Sequence, residues 1–296
     1  MKPTQFLKLI SFCLFLLISF TSSAKKEEMK LHLLKGEHFT FLITQESTFQ
    51  QNPKESPTVI QKTSLKIRQD VIAVLGNGNY VIKASIVNFN LEINYNGKIT
   101  RYDSDTVNVM NKYYKTLNFL TDIKLDYELS PEGVVSKLTG FEPIKKKAEI
   151  DRQLTSHLRS FGNEQFVLEL YNYIPLKSIG VGDKWTVEGI LPEVKNLKYD
   201  IHYLFKMASP QNLTLNREAT FNYTAEAPAA DSKTGPLKET GTQKGTLLID
   251  PKTSLCLSSD FDEQILIIIP KTDKPQTEKT APLKITTHTK MLLVKK

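Results

Sequence analysis

Two short glycine motifs are the first candidates for chemistry, because closely spaced glycines let a backbone approach a phosphate. Gly76-Asn77-Gly78 and Gly180-Val181-Gly182 both begin like a nucleotide-binding fingerprint. Neither has a third glycine at the required offset or a following amphipathic helix that would receive the phosphate. The sequence therefore predicts a turn at each motif, and it predicts no cofactor.

Metal-binding patterns are also incomplete. Asp103-Ser104-Asp105 begins like a calcium loop, but Asn108 and Tyr114 stand where such a loop has Gly and Glu, which favours a capped turn. No two histidines have the spacing that sets zinc ligands on one element. The histidines are His32, His38, His157, His202 and His288. We therefore predict no metal site, although ligands distant in sequence can converge in space.

Acid–base and nucleophilic candidates are few. Asp260, Asp262 and Glu263 could supply a carboxylate pair, but in a strand Asp260 and Asp262 share one face, which we predict is the solvent side. Cys256 lies between two leucines and is predicted to be a small buried hydrophobe. No nucleophile signature surrounds any Ser or Cys. The sequence favours a non-enzymatic protein, with a spatially assembled hydrolase site as an alternative.

The first 24 residues have the three-part layout of an export signal. Lys2 and Lys8 precede an apolar run at residues 9–20, and a small polar tract ends at Ala24. The run is shorter than the ~20 residues that a membrane-spanning helix needs. We predict cleavage after Ala24, a mature chain that begins at Lys25 with no transmembrane segment, and a periplasmic or secreted location, with association with the outer membrane as an open alternative.

Composition narrows the classes of partner. Removal of the signal leaves 296 − 24 = 272 residues with a charge of (39 − 2) − 32 = +5, spread in mixed-sign stretches. Nucleic-acid binding would need a one-sided basic stripe, so we predict none. Cys13 leaves with the signal, and the mature chain then has Cys256 as its single thiol.

Most of the mature chain shows the alternation of β-strands. Phe89, Leu91, Ile93 and Tyr95 alternate with polar residues, and Asn96-Gly97 then predicts a type I′ hairpin. Even positions are apolar at residues 80–86 and odd positions from residue 89, so a bulge is expected near Val87 in one bent strand. Gly76 to Asn79 predicts another hairpin.

The remaining segments complete the predicted architecture. Residues 144–173 have helical periodicity that is interrupted near Gly162-Asn163, and loops are predicted at 50–61, 225–245 and 271–281. Similar Gly-acid turns at residues 35–39 and 181–185, and similar proline turns at 129–133 and 249–253, indicate two related halves. We predict a mainly β fold: a curved antiparallel sheet or open half-barrel, built as a duplicated β-meander of residues 25–142 and 175–296 joined by a helical connector at 143–174.

Four short segments occur in a characteristic order: Gly36-Glu37-His38-Phe39, a strand pair that ends in Tyr102-Asp103-Ser104, Ser130-Pro131-Glu132-Gly133-Val134 and Val181-Gly182-Asp183-Lys184-Trp185. This order resembles that of an uncharacterised family of exported, β-rich bacterial proteins. The resemblance spans nearly all of the mature chain and implies no functional residue. The expected shape is similar to that of periplasmic lipoprotein carriers.

The leading functional hypothesis is that the protein binds an apolar or amphipathic ligand, such as lipid, or an envelope partner at the inner face of its sheet. Its expected contributors are Phe89, Leu91, Ile93 and Tyr95. The alternative is a structural or assembly component acting by protein contact, because the apolar run at 265–269 would need cover on an edge strand. Trp185 is predicted to anchor the core, and Asn212 and Asn222 match the glycosylation pattern.

Overall fold

The structure is a computed structural model that describes residues 26–51, 58–107, 110, 113, 117–150, 164–191, 197–224, 238–268 and 282–294. Within this part of the chain, a 3₁₀ turn occupies Asn118–Asp122, and two helices occupy Glu142–Ile150 (α1) and Glu164–Glu169 (α2). The strands are β1 His38–Gln50, β2 Val59–Val74, β3 Tyr80–Tyr95, β4 Lys98–Asp103, β5 Lys124–Leu129, β6 Val135–Thr139, β7 Lys184–Leu191, β8 Leu197–Ala208, β9 Leu213–Thr224, β10 Lys238–Ile249, β11 Cys256–Ile268 and β12 Leu283–Val294.

All twelve strands join one antiparallel sheet. Its order is β6-β5-β3-β2-β1-β12-β11-β10-β9-β8-β7, and β4 pairs with the second part of β3. The sheet is open, with β6 and β7 as its edges, and is not closed into a barrel. The predicted class, a mainly β open antiparallel sheet, is confirmed.

The strand order is similar in the two predicted halves, and their duplication stays a prediction. Five strands of the first half, β6, β5, β3, β2 and β1, run across the sheet in reverse sequence order, and the six strands β12 to β7 of the second half continue in the same way. The Gly-acid turns are equivalent: Gly36 N donates to Val71 O at 2.8 Å and Gly182 N donates to Phe205 O at 2.7 Å. In both turns the acidic side chain accepts a backbone N–H from three residues earlier, at 2.7 Å for Glu37 and 2.8 Å for Asp183.

Strand β3 has the predicted bend and the predicted turns. It runs from Tyr80 to Tyr95, and its pairing with β2 skips Val87, so the phase of its side chains changes there. Asn96 and Gly97 have φ of 52° and 83°, as a type I′ turn requires. β5 pairs with the first part of β3 and β4 with the second, because the bulge redirects the strand.

One end of the sheet is closed by the segment at residues 27–33. Glu27 pairs with Ile179, Leu31 N donates to Pro131 O at 2.7 Å, and His32 N donates to Thr253 O at 3.1 Å. The apolar residues of this segment are buried, and Tyr80 Oη donates to Leu31 O at 2.6 Å. The segment therefore ties the corresponding turns of both halves together, and we call this the closed end.

Three local predictions differ from the structure. The predicted loop at 225–245 is wrong from Lys238 onward, where β10 begins, and strands also extend into the predicted loop at 50–61. The apolar run predicted at 265–269 is not on an edge over its residues 265–267, because β11 pairs there with both β10 and β12, and residue 269 lies outside the described residues. Gly162-Asn163 and the loop at 271–281 lie outside the described residues. None of the described helices is both long enough and apolar enough to cross a membrane.

Candidate ligand site on the inner face of the sheet

The inner face of the sheet, which carries the buried side chains, becomes more accessible toward the end opposite the closed end. Along β3 the exposed fraction rises from 1% at Phe89 to 51% at Tyr95, with Leu91 buried and Ile93 half-buried between them. All four predicted site residues are on this face. Phe89 and Leu91 are part of the packed core, whereas Ile93 and Tyr95 lie nearer the accessible end, which we call the open end. Their role in binding stays a prediction.

Strand register places the inner-face residues in parallel rows across the sheet. The Arg217 row runs through β1, β12, β11, β10, β9, β8 and β7, in the order Gln45, Thr289, Phe261, Gly245, Arg217, Tyr203 and Trp185. The Phe49 row lies two inner-face rows farther toward the open end and contains Phe49, Ile285, Ile265, Gly241 and Phe221, followed by Tyr199, whose ring contacts Phe221, and Gly189. Between them the β1, β12, β11 and β10 positions are Ser47, Thr287, Glu263 and Gln243. The inner face therefore places a polar band beside an apolar one.

Glycines in β10 make room for aromatic rings on the inner face. Gly245 is directly opposite Phe261, and Gly241 is directly opposite Phe221. A Cβ atom at either glycine would overlap the opposing ring, so each ring occupies the space that a side chain at that position would fill. This packing explains why a glycine-containing segment that resembles a loop in sequence forms a strand here.

The site has a buried charge at its centre. Arg217 is 4% exposed, its Nη2 atom lies 3.6 Å from Glu169 Oε2 of α2, and its guanidinium carbon lies 4.9 Å from the ring centre of Phe261. Tyr199 donates to Glu169 at 2.5 Å and Tyr203 donates to Asn172 at 2.8 Å. Helix α2 is thereby held against β8 and β9.

The buried polar groups differ in charge, because Arg217 is ionised and Tyr199 is neutral. Burial alone would lower the pKa of the Arg217 guanidinium, but the oxygens of Tyr203, Glu169 and Tyr199 outweigh burial, so the pKa is raised and the group stays charged. Burial, with the Glu169 carboxylate second, raises the pKa of Tyr199. Tyr199 therefore remains a hydrogen-bond donor at physiological pH.

Solvent reaches the inner face beside Arg217. Phe261, Glu263, Gly245 and Gln243 are partly exposed, although β10 and β11 are interior strands and these residues face inward. In the first half, by contrast, the corresponding positions Thr63 and Leu91 are buried. The accessible part of the inner face thus includes the second half of the sheet, which the sequence did not indicate.

The outer face carries a different pattern. One row alternates basic and acidic side chains across successive strands: Arg101, Glu92, Lys62, Glu46, His288, Asp262, Lys244, Glu218 and His202. Ion pairs along it include Arg101–Glu92 at 2.7 Å and Lys62–Glu46 at 3.0 Å. Part of the row lines a shallow groove of about 520 Å³. Since every basic residue of the row is opposite an acidic residue on a neighbouring strand, we interpret the row as a set of solvent-exposed cross-strand pairs that help to fix the strand register.

The structure also locates the other candidate groups. Asp260 and Asp262 are exposed on the outer face, as predicted, and Asp262 Oδ1 lies 2.8 Å from His288 Nδ1. Cys256 is buried, and burial raises the pKa of its thiol. Asp103 accepts a hydrogen bond from Asp105 N at 2.9 Å in a capped turn. Among the described residues, no cluster of three or more His, Cys, Asp or Glu side chains could hold a metal ion.

Two predictions about aromatic and glycosylation residues can also be placed. Trp185 is partly buried against the core and stacks on Tyr203 with ring centres 5.4 Å apart, as predicted for a core anchor. Asn222 is exposed on β9 and Asn212 is half-buried before it.

Sequence reasoning missed Arg217 and its partner Glu169. The signal was present in β9, where Leu213, Leu215, Ala219 and Phe221 occupy the apolar phase and Arg217 occupies the same phase between them. A charged residue in the buried phase of a strand indicates a specific partner or ligand. Glu169 could not be assigned, because α2 is far from β9 in sequence.

Comparison with known proteins places the chain in a family. A sequence model described as a family of unknown function (DUF6263) matches residues 77–256, which is more than half of the 296 residues. The chain is a DUF6263 protein. This confirms the expected membership of an uncharacterised family. The region of the DUF6263 match includes Trp185, Arg217 and Gln243 of the site. No curated protein matches the sequence.

Among solved structures, the DUF6263 chain is similar to one of lipovitellin, titled for lipid–protein interactions. The TM-score is 0.52 at 11% identity over 89% of the DUF6263 chain, which spans only 25% of the lipovitellin chain. Because identity is this low, the similarity shows a shared fold alone. DynF from the dynemicin pathway of Micromonospora chersina aligns over 93% of this chain and 88% of its own at 7% identity, with a TM-score of 0.24 that carries no argument.

Proposed function

We propose that this chain is an exported, non-enzymatic protein that binds an apolar or amphipathic ligand on the inner face of its sheet, at the cell envelope. The observation that carries the proposal is the rise in exposure along the apolar side of β3, from Phe89 in the core to Tyr95 at the open end. An apolar face that opens to solvent is a typical lipid or hydrophobic ligand surface. The association of lipovitellin with lipid, which its title states, supports the same class of ligand.

Two features support export. The apolar run at residues 9–20 and the small residues before Lys25 form the signal pattern. Cleavage after Ala24 would leave intact the segment at residues 27–33, which ties the two halves together at the closed end. N-terminal sequencing of the protein from its source should return Lys25, and a sequence that begins at Met1 would refute export by cleavage.

Ligand binding can be tested with a fluorescent apolar probe, N-phenyl-1-naphthylamine, and a matched pair of variants. Ile93 is half-buried on the inner face, whereas Ile99 is exposed and pairs with Asn94 on the outer face. Because a charge would oppose apolar binding, Ile93→Glu should weaken probe binding about tenfold or more, a cost of at least about 1.4 kcal/mol. Ile99→Glu should leave probe binding unchanged.

The outcome separates a binding face from an ordinary packed core. Saturable fluorescence that Ile93→Glu reduces, with circular dichroism unchanged, supports the proposal. Absence of saturable binding to the wild-type chain, or equal loss in both variants, would contradict it.

A further inference from the structure

Arg217 has hydrogen-bonding capacity that the protein does not use. Its side chain is 96% buried, yet Nε and Nη2 have no hydrogen-bond partner in the described part of the chain, and the Glu169 carboxylate oxygen lies 3.6 Å from Nη2. A buried donor without a partner destabilises the folded state, and more so when it is charged. Such a donor calls for a specific explanation, and water, an ion or a ligand that accepts its hydrogen is one.

The groups around Arg217 indicate what could satisfy it. Tyr199 and Tyr203 already donate their hydroxyl hydrogens, and Glu169 already supplies a negative charge beside the guanidinium. Trp185, in the same row, also has a buried Nε1 donor without a partner. The site therefore offers unused N–H donors but no net positive charge. A second anion would be repelled by the Glu169 carboxylate, whereas a neutral oxygen acceptor would not.

The surroundings of Arg217 also fit an acyl chain. The partly exposed Phe261 and Gln243 border Arg217 on the accessible inner face, and the apolar Phe49 row lies on the side toward the open end. An extended ligand could thus place its polar end at Arg217 and its chain along Ala219 and Phe221 of β9, beside the polar residues Glu263 and Gln243. This arrangement orients an amphipathic molecule along the sheet.

We infer that Arg217 binds a neutral carbonyl oxygen, of an ester or amide, at the polar end of an acyl ligand on the inner face. The inference rests on the proposed function and specifies its ligand class. A hydrogen bond from a charged donor is among the stronger ones, so a carbonyl should add at least about tenfold to affinity over the chain alone.

The test compares three probes of equal chain length: methyl oleate, oleate and 1-octadecene, each displacing N-phenyl-1-naphthylamine. The wild-type protein should bind methyl oleate about tenfold or more tightly than 1-octadecene, and oleate no more tightly than the ester. The double variant Arg217→Met/Glu169→Gln removes the charge with its partner, which avoids leaving a buried carboxylate unpaired. It should bind 1-octadecene as the wild type does and lose the ester preference.

A matched control is Arg101→Met/Glu92→Gln, which removes an ion pair of 2.7 Å on the outer face and should keep the ester preference. Equal wild-type affinity for methyl oleate and 1-octadecene, or an ester preference that survives in the Arg217 double variant, would overturn the inference and leave the proposed function standing. Tighter wild-type binding of oleate than of the ester would also overturn it, in favour of an anion site. Binding of none of the three probes would contradict the proposed function together with the inference.

Discussion

Replacing Gly245 with alanine should destabilise the sheet at the point where the fold and the candidate site meet. Gly245 lies on the inner face of β10 between Arg217 of β9 and Phe261 of β11. The new Cβ atom would overlap both the ring of Phe261 and the carbonyl oxygen of Asp260. The ring can rotate away, but the carbonyl belongs to the backbone of the neighbouring strand, so the strands must separate.

The expected cost follows from these contacts. Overpacking a core typically costs about 1–3 kcal/mol, and a backbone clash puts Gly245→Ala near the upper value. Alanine restricts the unfolded chain and recovers about 0.4–1 kcal/mol. The net loss is therefore about 2 kcal/mol, which corresponds to a decrease of about 1 M in the urea midpoint.

Urea unfolding followed by fluorescence can measure this loss, because Trp185 is the sole tryptophan and stacks on Tyr203 in the Arg217 row. Gly76→Ala is the matched control, since no atom lies within 4 Å of its added Cβ and its φ is not positive. The control should be unchanged or slightly stabilised. Equal midpoints for the two variants would refute the close packing of Phe261 on β10.

Three further predictions concern the core. Leu91→Ala should lower the free energy of unfolding by about 2–5 kcal/mol because Leu91 is buried, whereas Val87→Ala at the exposed bulge should change it by no more than about 0.5 kcal/mol. Similar urea midpoints for the two variants would show that the register of β3 is wrong. Cys256 should resist iodoacetamide at pH 8 in the native protein and react in urea, because it is buried and its thiol pKa is raised; rapid native labelling would refute its burial. Burial raises the pKa of several tyrosines above about 10, so the folded chain keeps protons that the unfolded chain loses. The contribution of these tyrosines to stability should therefore be fully present below about pH 10 and be lost as the pH rises further; absorbance at 295 nm that titrates fully near pH 10 without unfolding would contradict this. These tyrosines are Tyr127, Tyr171, Tyr173, Tyr199 and Tyr203.

Local signals predicted much of the fold. The alternation along β3, its change of phase at Val87 and the Asn96-Gly97 turn were all legible, because each depends on backbone geometry within a few residues. The duplicated turns were legible for the same reason, since Glu37 and Asp183 cap their own turns. Such features need no knowledge of distant contacts.

Features that depend on distant strands could not be predicted. Gly241 and Gly245 indicated a loop, because their partners Phe221 and Phe261 lie on other strands and only the assembled register shows the rings above them. Likewise, the run at 265–269 indicated an exposed edge, because nothing local shows that β12 returns to pair beside β11. The ion pair of Arg217 with Glu169 joins β9 to a helix that precedes it by two strands.

The most direct test of ligand binding is native mass spectrometry of the protein purified from its source without detergent. We expect a chain that begins at Lys25, together with a population of higher mass whose extra mass equals that of a neutral acyl ester or amide that organic solvent releases. A spectrum that contains the bare chain alone, from protein that also fails to bind methyl oleate in solution, would refute ligand binding.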